Sequence, residues 1–122
     1  MKAKVLIVDD SSVSRMMIRG RIAGLQPEWE ILEAADGAQA VDLVASGAPD
    51  FITMDVNMPG MNGFDAVEAI RQINQRAKIV ILTANIQESS RDRAQQLGVQ
   101  FLQKPATLAA VQQAVDYFLG VS

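Results

Sequence analysis

The 122-residue chain contains neither cysteine nor histidine. Without thiols there can be no disulfide, no thiolate metal site and no cysteine nucleophile; without imidazole, the general base and metal ligand best suited to neutral pH is missing. Any chemistry has to come from carboxylates, hydroxyls, amides and lysine. Basic runs are absent too. Eleven Lys and Arg stand against fourteen Asp and Glu, a formal net charge of −3, and they are scattered, so neither nucleic acid nor an anionic membrane is an expected partner. No stretch approaches the roughly 20 apolar residues of a membrane span. The opening MKAKVLIV starts basic, but its apolar run is too short for a signal-peptide core before Asp9 ends it. Cytoplasmic residence is therefore expected. No linker, low-complexity tract or repeat divides the chain, so its length predicts a single domain over residues 1–122 with no output domain.

With 49% hydrophobic and 20% charged residues, the chain has the composition of an ordinary folded protein. Apolar runs of strand length alternate with amphipathic segments of helix length. Strands are predicted at KVLIV (4–8), WEILEA (29–34), FITMD (51–55), KIVILTA (78–84) and VQFLQ (99–103). Several are apolar throughout rather than alternating, as strands covered on both faces are. Helices are predicted at 12–25, 37–46, 63–73, 88–97 and 107–119, the last with Leu108, Val111, Val115 and Phe118 as its buried stripe. Ser11 or Ser12, Ser89 and Thr107 are the expected caps of the first, fourth and fifth helices, and Gly47, Gly98 and Gly120 the expected stops. Five strand-then-helix repeats imply an α/β, doubly wound (βα)5 fold with a five-stranded parallel sheet, in which ligands bind beyond the carboxyl ends of the strands.

That edge collects the chemistry. Asp9 and Asp10 follow the first strand, Asp55 ends the third, Thr83 the fourth, and Lys104 and Pro105 follow the fifth. Taken singly, a strand-end Asp reads as a helix cap or turn residue, and a Lys before Pro as a solvated charge. Together, three carboxylates, a hydroxyl and an ammonium on one edge form a site. Adjacent acids repel unless a cation offsets them, and an oxygen-only donor set suits Mg2+, or Mn2+. Asp55 is then placed to act as a nucleophile forming an aspartyl phosphate, with Lys104 and Thr83 on phosphoryl oxygens and Ala84 leaving room for the group to enter.

DVNMPGMNG at 55–63, VDD at 8–10, TA at 83–84 and KP at 104–105 closely resemble the receiver domain of two-component response regulators, over essentially the whole chain. The likeness is greatest to single-domain, chemotaxis-type (CheY-like) regulators. It implies the flavodoxin-like strand order 2-1-3-4-5. It further implies Asp55 as phosphoacceptor and metal ligand, Asp10 as a direct Mg2+ ligand, Asp9 acting largely through water, and the backbone carbonyl of Asn57 as a further ligand. Thr83, Ala84 and Lys104 match the phosphoryl-binding positions, and Pro105 follows a peptide bond expected to be cis. Thr83 and Phe101 match the switch pair that couples phosphorylation to the surface of the fourth helix, fifth strand and fifth helix. Asn57 and Asn85, near the path of an attacking water, would tune dephosphorylation. MPGMNG is no nucleotide-binding loop: it has neither the Walker pattern nor G-x-G-x-x-G.

The implied function is a phosphorylation-dependent switch, in chemotaxis or a related pathway, and not an enzyme beyond self-catalysed phosphotransfer and slow autodephosphorylation. Its partners would be a sensor histidine kinase or phosphotransfer domain, a protein target on that surface, and a phosphatase. Ala109, Ala110, Gln112, Gln113 and Asp116 are nearly uncharged for a helix surface, which favours a monomer over a receiver dimer held by charges. Two alternatives differ in kind. A haloacid-dehalogenase-type phosphatase would need an acid two residues after its nucleophile, where this chain has Asn57, an amide that cannot shuttle a proton. A receiver-like scaffold that is never phosphorylated would have no need of the Asp9, Asp10, Asp55, Thr83 and Lys104 set.

Overall fold

The computed structural model describes residues 2–84 and 87–121. Five strands and five helices alternate: β1 Lys4–Val8, α1 Ser12–Leu25, β2 Glu30–Ala34, α2 Gly37–Gly47, β3 Phe51–Met54, α3 Gly63–Ile73, β4 Lys78–Thr83, α4 Glu88–Leu97, β5 Gln100–Gln103 and α5 Leu108–Leu119. All strand pairs are parallel, in the order β2-β1-β3-β4-β5, so the expected switch in strand order lies between β1 and β3.

The apolar runs now have their explanation. Alternate residues of each central strand point to opposite faces, and each face has its own helical cover. Leu6, Val8, Ile52, Met54, Ile79 and Ile81 pack under α2, α3 and α4, with Ala40, Val44, Phe64, Val67, Ile70 and Ala94. Val5, Ile7, Phe51, Val80 and Leu82 pack under α1 and α5, with Ile18, Ile22, Val111, Val115 and Phe118. Trp29 precedes β2 rather than belonging to it; it is buried, with its ring 5.1 Å from that of Phe51, which stacks in turn on Phe118 at 4.7 Å.

Caps Ser11 and Thr107 behave as their residue types predict, accepting from the backbone N–H of Ser14 and Ala110. Three details depart from expectation. Ser89 does not cap α4: the helix starts one residue earlier, and Gln87 stands at the cap position with no side-chain bond. Gly47 is the last helical residue of α2, and the left-handed turn falls on Ala48 (φ 44°), whose N–H bonds the carbonyl of Val44 while Lys4 Nζ donates to the carbonyl of Gly47. Leu108 is 53% exposed rather than part of the buried stripe. It is the first residue of α5 and lines a cavity with Met16, Met17, Gly20 and Leu25 of α1; the stripe runs instead through Val111, Ala114, Val115 and Phe118.

Candidate phosphoryl and metal site

Parallel register brings the central acids together. Val8 pairs with Met54, so the residues that follow them, Asp9 and Asp55, leave adjacent strands side by side. The backbone holds both in place: Asp55 N–H donates to Val8 O (2.9 Å), Asp9 N–H to Ala34 O (3.1 Å), and Lys104 N–H to Thr83 O (2.8 Å). Asp9 and Asp55 are 1% and 7% exposed, Thr83 is fully enclosed, and Asp10 reaches solvent.

Lys104, 95 residues from Asp9 in the chain, donates from Nζ to Asp9 Oδ2 at 2.7 Å and lies 3.7 Å from Asp55 Oδ1. The other oxygen of Asp9 accepts the N–H of Ser11 at 2.9 Å. Asp10, by contrast, makes no hydrogen bond or ion pair among the described residues. Each of Asp9, Asp10 and Asp55 offers an oxygen within 4.8 Å of the others'. This is an oxygen donor set of a size and hardness that fits Mg2+ or Mn2+. One acid is free to ligate, while another is already committed to Lys104 and Ser11.

Burial pushes the Asp55 carboxyl up from its ordinary 3.8 to about 6, aided first by the charge of Asp9 and slightly by that of Asp10. Lys104 and the N–H of Val56, which donates to Asp55 Oδ1 at 2.9 Å, pull the other way. A carboxylate enclosed in this way, with one lysine and two acids around it, is electrostatically unsatisfied.

The loop after Asp55 explains its glycines. Gly60 adopts φ +77°, which favours glycine. Gly63, the first residue of α3, is held by a different constraint: a Cβ there would lie 2.1 Å from the carbonyl oxygen of Asp55. Its N–H donates to Val56 O at 2.9 Å, and Asn62 caps the helix through the N–H of Asp65. The start of α3 is thus pressed against the backbone of Asp55.

The remaining sequence-derived positions fall as follows. Lys104–Pro105 is a cis peptide bond. Ala84 and Lys104 share with Ser11, Val13, Ser14, Met17, Pro105 and Ala106 the lining of a cavity of about 470 Å3 next to the acids. Phe101 is half-buried against the α4 side of the core, with the Arg91 guanidinium 5.8 Å from its ring centroid. Asn57 is exposed in the loop after β3; Asn85 lies outside the described residues. Arg15, which no sequence signal marked, donates to the carbonyl of Asp9 at 2.6 Å and to Glu33 at 3.1 Å, bracing the Asp9–Asp10 turn from α1. Val13, Met16 and Met17 are exposed on α1; the two methionines, which the sequence left as part core and part adaptable surface, lie on the surface, off the buried Ile18–Ile22 stripe.

Fold and site together define a doubly wound α/β domain with a carboxylate and lysine pocket at its topological switch point. The chain belongs to the response regulator receiver domain family, whose model matches residues 5–116. It is 37% identical over 122 residues to the chemotaxis protein CheY of Bacillus subtilis, covering 98% of this chain and 100% of that one. With CheY of Thermotoga maritima it shares 36% over 118 residues, 95% and 97% of the two chains. The solved structure of Vibrio cholerae CheY4, crystallised at low pH, superposes with a TM-score of 0.86 at 30% identity over 97% of this chain and 99% of that one.

Proposed function

We propose that this receiver domain is a binding switch operated by phosphorylation of Asp55. A phosphohistidine on a sensor kinase or phosphotransfer domain is the donor. An Asp55 carboxylate oxygen attacks phosphorus, the phosphorus–nitrogen bond breaks, and the imidazole takes up a proton from solvent as it leaves. Asp9, Asp10, Asp55 and the backbone carbonyl of Asn57 would hold Mg2+, which offsets the negative charge gathered by the acids and the phosphoryl group. Lys104 leaves part of its interaction with Asp9 to meet one phosphoryl oxygen, and Thr83 meets another; Ala84 keeps the entrance open. Thr83 is already enclosed, so its movement is a shift between interior positions rather than entry from solvent. Val13 and Met17, apolar and exposed at the cavity, with Met16 and Leu108 on the adjoining α1–α5 surface, give the donor protein a surface to rest on.

Output is through binding. The half-buried Phe101 ring turns inward when Thr83 moves, changing the face made by α4, β5 and α5 for a protein target. Slow self-dephosphorylation, tuned at Asn57 and Asn85 and open to a partner phosphatase, resets the chain. The receiver domain works as a cytoplasmic monomer in chemotaxis or a related two-component pathway. No described helix is long and apolar enough to cross a membrane.

One observation carries the reading: Asp55 lies against the Asp9–Asp10 pair and 3.7 Å from Lys104, while both carboxylate oxygens of Asp9 are already taken by Lys104 and Ser11. Acetyl phosphate with Mg2+ should add a single phosphoryl group, located by intact mass and peptide mapping. Label remaining at full stoichiometry in Asp55→Ala would refute the assignment.

A further inference from the structure

Among the helices, α4 is the least anchored by apolar burial. Of its ten residues only Ala94 is buried, with Leu97 packed partly against the core, and its cap position makes no side-chain bond. One side chain compensates. Arg93 Nη2 donates to Asp65 Oδ1 at 3.1 Å and to Glu68 Oε1 at 3.2 Å, both on α3, and its guanidinium lies 5.2 Å from the ring centroid of Phe64, also on α3. Two residues earlier, Arg91 sits over Phe101 on β5. The cationic side chains of α4 therefore reach in two directions, toward α3 and toward the ring assigned to the switch.

The α3 end of this link is fixed. Gly63 N–H is bonded to Val56 O, and no Cβ fits between Gly63 and the carbonyl of Asp55, so the helix start moves only with the backbone of the acid. Asp65, in the first turn of α3, carries the Arg93 contact at that end.

We propose that Arg93 is a clamp that ties α4 to α3 and sets the threshold of the switch, acting as a positioning residue outside the site. While it is closed, α4 stays where Arg91 covers the half-buried Phe101 ring. Release of the clamp is part of the change that lets the ring turn in. Asp55 is then coupled to the partner face along two routes, one through Thr83 and Phe101, the other through Gly63, α3 and Arg93. The proposal rests on the phosphorylation reading only for its second readout.

Contacts of this kind, exposed ion pairs and a cation–π pair, together shift a two-state equilibrium by about 3- to 10-fold. Arg93→Gln should therefore raise hydrogen exchange of the α4 amides about 3- to 10-fold while amides of β1 and β3 keep their wild-type rates. The effect is electrostatic in large part, so raising salt should loosen α4 in the wild type and have little further effect in the variant. Exchanging the charges, with Arg93→Glu and Glu68→Arg combined, should restore part of the protection that Arg93→Glu alone removes. The second readout is the rate of phosphorylation by acetyl phosphate with Mg2+, which should rise by a similar factor in Arg93→Gln because the competent arrangement is more populated. Wild-type exchange of α4 in the variant overturns the clamp. So does a loosened α4 with an unchanged phosphorylation rate. If the wild type itself takes no phosphoryl group, the Asp55 reading fails, and exchange with its salt dependence and charge-swap rescue decides the clamp alone.

Discussion

Replacing Asp55 with asparagine removes a charge that the fold holds at a loss. The carboxyl titrates at about 6 in the folded chain against an ordinary 3.8. Because the folded value is raised, the folded state holds the proton more tightly than the unfolded state does. Stability is greatest below the ordinary value and is lost as pH rises through about 6. At 1.36 kcal/mol per unit, a displacement of this size amounts to about 3 kcal/mol near pH 7.5, as an upper figure. The value of about 6 already includes the opposing pull of Lys104 at 3.7 Å and of the Val56 N–H, and in the variant the amide oxygen can still accept from Val56. Asp55→Asn should thus be more stable than the wild type by about 1 to 3 kcal/mol near pH 7.5 without divalent cations, and the gap should close toward about pH 4. Urea unfolding of both proteins across that range, at fixed ionic strength and with chelator present, measures it as the difference between the two curves, which cancels the other carboxylates. Adding Mg2+ should narrow the gap from the other side. At about 100 times its dissociation constant it contributes roughly 2.7 kcal/mol to a chain that binds it only when folded, and the variant has lost one ligand. A gap that does not vary with pH, or a variant less stable near pH 7.5, would refute the electrostatic account of this pocket.

Asp10→Asn, which removes an exposed acid with no hydrogen-bond or ion-pair partner among the described residues, should stabilise the metal-free fold slightly while largely abolishing both the Mg2+ response in thermal unfolding and phosphorylation. A purely capping Asp10 would leave the Mg2+ response intact. Gly63→Ala forces a Cβ against the Asp55 carbonyl; it should cost about 3 kcal/mol or more in urea unfolding, within the range of overpacking and backbone strain, and slow phosphorylation by displacing the acid. In Thr83→Ala, NMR shifts around the Phe101 ring should respond to phosphorylation much less than in the wild type, and an equal response would separate the ring from the threonine.

The three acids, the hydroxyl and the ammonium could be assigned to one edge from the sequence because a parallel βα repeat leaves every strand's carboxyl end on the same side. Once the strands were recognised by their unbroken apolar runs, Asp9, Asp10, Asp55, Thr83 and Lys104 had no other place to go. Helix limits were similarly readable where a local signal sets them, as at Ser11 with α1 and at Thr107 with α5. The two departures differ in kind: Ser89 falls inside the first turn of a helix that starts at Glu88 with no side-chain cap, whereas the left-handed turn after α2 falls on Ala48 while Lys4, 43 residues from Gly47, bonds the Gly47 carbonyl.

By itself, then, the sequence determined whatever depends on periodicity and chain direction: the alternation of elements, the two-sided burial of the central strands, and the edge on which the site lies. Only the tertiary structure decided the distances that give the site its character. The 2.7 Å hydrogen bond of Lys104 to Asp9, the burial that raises the Asp55 carboxyl and the reach of Arg93 to α3 join residues far apart in the chain, and the absence of room beside Gly63 depends on how α3 is pressed against the strand end. Local patterns record which face a residue prefers; how closely two faces approach is set by the packing of the helices on both sides of the sheet, and no short stretch of sequence carries that information.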